Sequence, residues 1–407
     1  MGKKVVVLGV GHTDFNAITP DMGWRDFMYE ACNKAYVDAG VNPRKDVDSF
    51  ITCAEDFYEG FSIFDEFVPD QVGALLKPCC TVCADGIYGL GTGYMQIKTG
   101  YMDIVSIEAH SKVSDLLTYG EILNFGMDPV FERPVVGSAE RPNYKEGPVW
   151  PKGSHDYMVG KSDEKERVHP YFLAGMEMRH YLKKTGTTEE QCAKVVVKNK
   201  KNAFYNPYAD YELKLTVEDV MKSDPVFTPM KYYDVAPNVD GAICFILGTE
   251  EKAKELGIDP IYLDGFGWSS ETPWFSNRGF DAKYASMSSK MAYKMAGIKD
   301  PAKEIDILEV DDKYSYKELQ HLEAIGYTEN AAKMLDEDKL CNVNVSGGAL
   351  GVGNCLEATG LQKSLEIVTQ LRGHAGKRQL KDLNVGLAQS WRGVPSGSGA
   401  VAIFRRG

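Results

Sequence analysis

No apolar run in the sequence approaches 18 residues, so hydropathy offers no membrane-spanning helix. An excess of basic charge is also missing. The net charge is −12 and the Lys and Arg residues are scattered among acids, which disfavours a phosphate backbone, so nucleic acid is not an expected partner. Cys80-Thr-Val-Cys83 has no second CxxC and the seven histidines form no HxxxH pair, so a four-ligand zinc site has too few donors and no metal is expected. GxSxG and HExxH do not occur. GVGHTD lacks the third glycine of a dinucleotide fingerprint, and GGALGVG lacks the Lys-Ser/Thr of a phosphate loop. An NAD-dependent dehydrogenase is therefore disfavoured. The nine cysteines are an odd number, and MGKKVVVLGVG enters a strand without a signal peptide, which predicts reduced thiols and a cytoplasmic location. A lipid anchor is not expected either, since KKVV supplies no Ser or Thr for myristoylation.

What is present is an ordinary folded composition, 43% hydrophobic and 26% charged, in a chain of 407 residues that exceeds one simple domain. Val5 to Gly11 reads as a buried strand, Met22 to Ala39 as a helix closed by Gly40, and Ser49 to Cys53 and Asp103 to His110 as further strands. The strand–helix rhythm predicts an α/β protein with a parallel or mixed sheet covered by helices. From about Lys112 to Tyr233 the chain turns Pro-, Gly- and charge-rich, then carries two helical segments around Met176 and Cys192. Such an excursion from the sheet usually carries binding function. The rhythm resumes in DGAICFILG, PIYLDGFG, EIDILEVDD, NVNVSGGALGVG, a helix from about Leu356 to Arg372, LNVGLAQSW and GAVAIFRR. Element order alone suggests a duplication, because no strict sequence period is visible.

The stretch PCCTVCADG puts Cys79, Cys80 and Cys83 within five residues. Three readings stand beside one another: small apolar core residues, a CxxC metal knuckle, or one reactive thiol. The segment after Cys83 places Ile87, Leu90, Tyr94 and Ile97 on one helical face and adds glycines at 86, 89, 91 and 93. Each glycine costs a helix about 1 kcal/mol, so four predict close packing on every side of a central helix. Cys83 is then expected at its N-terminus, where unpaired amides and the dipole favour a thiolate, the nucleophile of acyl transfer.

Taken together, these stretches resemble the thiolase family over nearly the whole chain. TVCADGIYGLGTGYMQIKTGYMDIVSIEAHSKVSD is similar to that family's Cys-x-x-Gly helix and following strand. VDGAICFILGTEEKAKELG is similar to its (S/C)DGAAA segment, and VNVSGGALGVGNCLEATG to its VNPxGGxxAxGHPxGATG segment. DEFVPDQVGALLKP and KNKKNAFYNPYADY resemble the archaeal and sterol-carrier-protein-like branch. The implied fold is two similar βαβ-type halves in an α-β-α-β-α layered structure. Residues 1–115 with 234–250 would form the first half, 116–233 an inserted loop domain for CoA, substrate and oligomer contacts, and 251–407 the second half.

By resemblance Cys83 accepts the acyl group. Asn354 falls on the family's histidine, with Cys355 in place of proline; Asp311 falls on the Asn or His of the first oxyanion hole; and Ser390 lies near the second acid/base. Three of the four polar positions thus differ. Ser346, Gly347 and Gly348 would approach the substrate, and the Cys83 amide with one amide from Gly393 to Gly399 would hold the tetrahedral oxyanion. Arg392 or Arg278 would pair with a substrate carboxylate, and Trp268, Trp274 and Trp391 would line an aromatic pocket. Cys355, Asp311, His110 and His321 remain alternatives for deprotonating Cys83. The resemblance implies thiolytic cleavage of a 3-oxoacyl-CoA with coenzyme A as substrate and no tightly bound cofactor. An aroyl substrate such as benzoylsuccinyl-CoA is expected, because an acyl group without an α-hydrogen needs less acid/base machinery. Another acyl-CoA C-acyltransferase of acetoacetyl-CoA type and a non-catalytic scaffold are the alternatives. A homodimer and a small zinc-ribbon/OB-fold companion protein are the implied partners.

Overall fold

The computed structural model describes residues 3–55, 63–115, 171–272, 279–394 and 396–407. Eleven strands occur among them: β1 (Val5–His12), β2 (Ser49–Cys53), β3 (Cys79–Val82), β4 (Ile104–Ser111), β5 (Pro225–Phe227), β6 (Met230–Lys231), β7 (Gly241–Thr249), β8 (Ile261–Glu271), β9 (Ile307–Glu309), β10 (Val385–Trp391) and β11 (Gly397–Arg406). Strands β5 and β6 pair with each other, and the other nine form the order β3-β2-β4-β7-β1-β8-β11-β10-β9.

That order contains the duplication. In the first half β2 runs parallel to β3 and β4, while β7 pairs antiparallel with β4 and β1. In the second half β9 runs parallel to β10, β11 is antiparallel to β10 and β8, and Leu308 makes a parallel bridge to Val343. The segment after Val82 that carries Cys83 therefore corresponds to the Ser346-Gly347-Gly348 segment after Val343. Each leads toward a central helix, Gly86–Lys98 or Thr359–Leu371.

Three apolar clusters make the layers. The Trp24–Ala39 helix turns Phe27, Met28, Ala31, Cys32, Ala35, Tyr36 and Ala39 onto one face of the first half, and ends at Gly40, whose φ of 66° is left-handed and free of a Cβ clash. A middle cluster joins Ile87, Leu90 and Ile97 to Leu361, Val368 and inward residues of both sets of strands. The third covers the outer side of the second half with the helices Tyr171–Thr185, Glu189–Ala203, Lys283–Ala296 and Ser315–Ala324. The two helical segments expected around Met176 and Cys192 thus exist. No helix among the described residues is long and apolar enough to cross a membrane.

The four-glycine helix is packed as its composition predicts. A Cβ on Gly86 would lie 2.3 Å from Leu361, on Gly89 2.3 Å from Cys53, on Gly91 2.8 Å from Phe266, and on Gly93 3.0 Å from Ile107. These contacts reach the partner helix and strands of both halves. Gly89→Ala gives a test of sign. Helix propensity alone favours alanine by about 1 kcal/mol, but overpacking against Cys53 and Ile107 should make it destabilising by roughly 1–3 kcal/mol in urea unfolding.

The glycines of GVGHTD and SGGALGVG are closely packed. A Cβ on Gly11 would sit 2.3 Å from the Ala31 carbonyl oxygen, one on Gly347 2.7 Å from Ala203, and one on Gly353 2.2 Å from Val239. A backbone pressed on a helix and one pressed on a ligand demand the same residue type.

Candidate active site

Cys79 and Cys80 lie on β3, half-buried. Burial, with Asp65 nearby, pushes the Cys79 thiol up to about 12 and raises that of Cys80. Both are held away from the nucleophilic thiolate form. Cys83 follows directly after the strand and is exposed. Paired strands bring Glu55 to the same end, since Cys53 is opposite Val82 and the Ala54 amide donates to the Val82 carbonyl.

Cys83 is not at the first turn of the helix. Asp85 is the N-cap, and Cys83 precedes it by two residues. Asp85 Oδ1 accepts from the Ile87 amide at 3.0 Å and from Ser390 Oγ at 2.7 Å, while Oδ2 accepts from the Gly360 amide at 2.7 Å. One buried carboxylate thus caps both central helices. Gly360 is required there, because a Cβ would lie 2.1 Å from Asp85 Oδ1. Burial raises Asp85 to about 7, opposed by the Ser390 hydroxyl and the two amides. All three bonds enter the carboxylate as acceptor, and two helix N-termini face it, the arrangement of an ionised group.

Ser390 and Asn354 meet at the same place. Thr359 Oγ1, one residue before Gly360, donates to Asn354 Oδ1 at 3.1 Å, and Asn354 Nδ2 donates to Asn238 Oδ1 at 2.7 Å. The amide is locked by these partners. Cys355 is buried, with its thiol 3.6 Å from the Gly241 carbonyl oxygen. Cys83, Asp85, Ser390 and Asn354 are therefore brought together by the N-termini of two helices that the duplication places head to head.

Asp311 is linked to this group through Gln389, whose Oε1 accepts from the Asp311 amide at 2.8 Å. Its Oδ1 accepts from the Lys313 amide at 3.0 Å, and among the described residues Oδ2 is buried without a hydrogen-bond partner. Burial raises Asp311, with Lys363 opposing the rise. Lys313 is also buried; burial lowers its ammonium, with Asp311, Glu55 and Glu357 acting the other way. The sequence reading missed Lys313.

Both candidate histidines are engaged by other groups. His110 has its ring between Trp24 and Phe64, on the face covered by the first long helix, with Nδ1 3.2 Å from Glu108. His321 Nδ1 is 2.8 Å from the Asp311 carbonyl oxygen and must donate to it, so Nε2 accepts from Tyr284 Oη at 2.9 Å. This is the neutral tautomer, and burial and then Lys317 hold the ring well below its usual pKa. A folded pKa below the unfolded one means that the unfolded chain takes up the extra proton as pH falls through about 6.5. The stability gap between the wild type and His321→Gln should accordingly shrink by roughly 2 kcal/mol from pH 7 to pH 5 in urea titrations.

The Ser346-Gly347-Gly348 segment is bound to the protein's own acids. Glu309 accepts from Ser346 Oγ at 2.6 Å and from its amide at 3.0 Å. Asp312 accepts from the Ala349 and Leu350 amides at 2.7 and 3.2 Å and from Asn199 at 2.8 Å, and pairs with Lys363 at 3.3 Å. A Cβ on Gly348 would lie 2.1 Å from Asp312. Burial, with Glu366 adding to it, raises Glu309 to about 7, and although burial alone would lower Lys363, Asp312, Asp311 and Glu309 hold its ammonium up. Ser346, Gly347 and Gly348 are thus anchored by buried acids. A cavity of about 30 Å³ behind them is bounded by His12, Glu309, Ser346, Lys363 and Arg378. That is room for a few waters and not for an acyl group.

Arg392 stands at the nucleophile end, where its Nε donates to buried Glu55 at 2.8 Å. Burial raises Glu55, and Arg392 opposes the rise. Trp391 is a core residue and not a pocket wall. Its Nε1 donates to the Ser396 carbonyl at 2.9 Å, Tyr284 stacks on it at 6.2 Å, and Lys317 Nζ sits 4.1 Å over the ring while pairing with Glu177 at 2.8 Å. Its alternating position after Ser390 turns it to the opposite side of β10. Trp268 stacks on Phe266 and faces Tyr88 at 5.7 Å. Gly393 turns the chain with φ of 83°, and Gly399 is opposite Trp391 in the sheet, its carbonyl 3.4 Å from Tyr88 Oη. Trp274 and Arg278 lie outside the described residues.

Residues 271–406 match the family model described as thiolase C-terminal domain-like. The chain is 31% identical to the acetyl-CoA acetyltransferase of Methanothermobacter thermautotrophicus over 422 residues, covering 99% of this chain and 100% of that protein. It is 27% identical to sterol carrier protein 2 of Oryctolagus cuniculus over 428 residues, covering 99% of this chain and 72% of that one. Among solved structures the Ltp2-ChsH2(DUF35) aldolase superposes with a TM-score of 0.76 at 19% identity, over 100% of this chain and 98% of that one.

Proposed function

The chain belongs to the thiolase family, and from that premise we propose that it cleaves a 3-oxoacyl-CoA with coenzyme A through an acyl-cysteine on Cys83. The observation that carries this reading is the exposed Cys83 beside two capped helix N-termini, with its neighbours Cys79 and Cys80 held as thiols. The Cys83 sulfur attacks the β-keto carbon, and the carbon–carbon bond breaks to release an acyl-CoA enolate. Coenzyme A then attacks the Cys83 thioester. Glu55, which strand pairing brings to the same end as Cys83, is proposed as the acceptor of the thiol proton.

The substrate we favour carries an aroyl group and a carboxylate, as benzoylsuccinyl-CoA does. Asn354 is an amide that cannot act as a base, which suits an acyl group with no α-hydrogen, and Arg392 with Glu55 supplies an exchangeable ion pair for a carboxylate. The excursion 116–233 is proposed to hold coenzyme A and oligomer contacts, with a homodimer as the core. A small companion protein is proposed too, and the fold neighbour with a DUF35 component in its name supports it.

Cleavage assays separate the substrate classes. Benzoylsuccinyl-CoA should be split by coenzyme A at least about tenfold more efficiently than acetoacetyl-CoA, and Arg392→Met should raise KM for the former more than for the latter. Equal efficiency on both would leave an acetoacetyl-CoA-type transferase.

A further inference from the structure

We propose that the outer face of the helix Lys283–Ala296 is a docking site for an acidic amphipathic helix of a partner protein. The exposed positions of this helix are three methionines and three lysines: Met287, Met291 and Met295, at 53%, 45% and 42% exposure, with Lys283, Lys290 and Lys294. It contains no acidic residue, on a chain whose net charge is −12. The core does not account for the thioethers, because Tyr284, Ala285, Ser288, Ser289 and Ala292 make the buried face.

The duplication supplies an internal control. Strands β1 and β8 pair antiparallel, and each is the first strand of its half. On β1, a Cβ at Gly9 would lie 2.5 Å from the Ala35 carbonyl oxygen and one at Gly11 2.3 Å from that of Ala31. On β8, a Cβ at Gly265 would lie 2.4 Å from the Ala292 carbonyl oxygen and one at Gly267 2.3 Å from that of Ser288. The helices Trp24–Ala39 and Lys283–Ala296 are therefore seated alike, with Ala31 matching Ser288 and Ala35 matching Ala292. Glu30, Lys34 and Asp38 then occupy the places of Met287, Met291 and Met295. The first ridge is an ordinary solvated one, in which Lys34 pairs with Glu30 at 2.6 Å and Asp38 with Arg372 at 2.7 Å. The same place in the fold thus does not call for methionine.

Size and charge select the occupant. Methionine is unbranched and polarisable, and it adapts to the side chains of a partner. Spaced four apart, the three form one ridge about 12 Å long at 1.5 Å per residue, the footprint of two turns of a second helix laid across it. Lys290 and Lys294 lie three residues beyond Met287 and Met291 and so flank that ridge. Among the described residues neither takes part in an ion pair, and Lys283 reaches Glu271 only at 3.9 Å. Lysines left uncompensated on an acidic chain favour an acidic partner and reject a basic one. A bilayer asks for a longer apolar face than three methionines. The inference stands apart from the chemistry at Cys83.

Peroxide footprinting and a defined peptide test the surface on the full chain. The probe is a fluorescent peptide of about 18 residues, long enough to hold a helix, with leucines at i, i+4 and i+8 flanked by glutamates. Its control carries lysines in place of the glutamates. In the free chain, hydrogen peroxide should convert Met287, Met291 and Met295 to sulfoxides, mapped by mass spectrometry, and the acidic peptide alone should slow this at least about fivefold. Lys290→Glu combined with Lys294→Glu should weaken the acidic peptide at least about tenfold in Kd and gain the basic one, while CoA-dependent cleavage stays at the wild-type rate. Met291→Ser should weaken the acidic peptide too, and it decides alone if the double variant fails to fold. No binding of the acidic peptide, or equal binding of both, overturns the proposal. Methionines already protected in the free chain overturn it as well: protection lost on dilution assigns the face to a second copy, and protection kept assigns it to the chain itself. Co-sedimentation with phosphatidylglycerol vesicles that is lost in the double variant assigns it to a lipid surface and likewise overturns it.

Discussion

Replacing Cys83 by alanine should lower CoA-dependent cleavage by at least about 10⁴-fold while leaving urea stability within about 0.5 kcal/mol of the wild type. The first half follows from chemistry. Acyl transfer needs a thiolate on a mobile, accessible side chain. Cys79 and Cys80 cannot substitute, since burial raises both thiols and strand pairing to Phe50 and Ile51 fixes their backbone. The second half follows from position, because Cys83 is exposed beyond the end of β3 while the helix is capped by Asp85. Cys83→Ser should be nearly as inactive, because a serine hydroxyl is a far weaker acid than a thiol and stays protonated beside a carboxylate. Steady-state rates with matched unfolding curves check both halves. Retained turnover would place the acyl group elsewhere.

Asp312→Ala should be the most destabilising single change to the site's frame, costing about 3–5 kcal/mol in urea unfolding. Four groups depend on this buried carboxylate: the Ala349 and Leu350 amides, Asn199 and Lys363. Truncation removes the ion-pair partner of the buried Lys363 ammonium and the acceptor of two helix amides. Asp312→Asn keeps one acceptor oxygen and removes the charge, so its cost should be smaller but still above 1 kcal/mol. The Asn354 loop is connected to this frame through the Gly348–Val352 turn, and activity should fall in parallel with stability. A loss under 1 kcal/mol for the alanine variant would mean that the loop holds itself without Asp312.

What the sequence revealed and what it concealed divide by range. Val5–His12, the Trp24–Ala39 helix with its Gly40 stop and the four-glycine helix follow from local period, caps and composition. The SGG glycines were visible, but not that Ala203 and Asp312 crowd them from distant parts of the chain. Ser390 and Asp85 are 305 residues apart, and no local pattern joins them. A cue to Asp85 did exist, since Asp directly before an apolar helix is a standard N-cap. Reading it would have moved Cys83 off the helix start. Trp391 was misplaced because alternation along β10 puts it opposite Ser390, against Tyr284 and Lys317. Glu309 and Asp312 carry no local cue to their burial against the second loop, which the fold brings to them from distant parts of the chain.

The central claim is a covalent acyl group on one sulfur. Incubating the protein with benzoylsuccinyl-CoA without added coenzyme A, quenching in acid and mapping peptides by mass spectrometry tests it directly. The account predicts one benzoyl group, on the peptide containing Cys83 and on that sulfur, removed when coenzyme A is added. An unmodified Cys83 peptide beside cleaved substrate, or an acyl group on Cys79, Cys80 or Cys355, would contradict it.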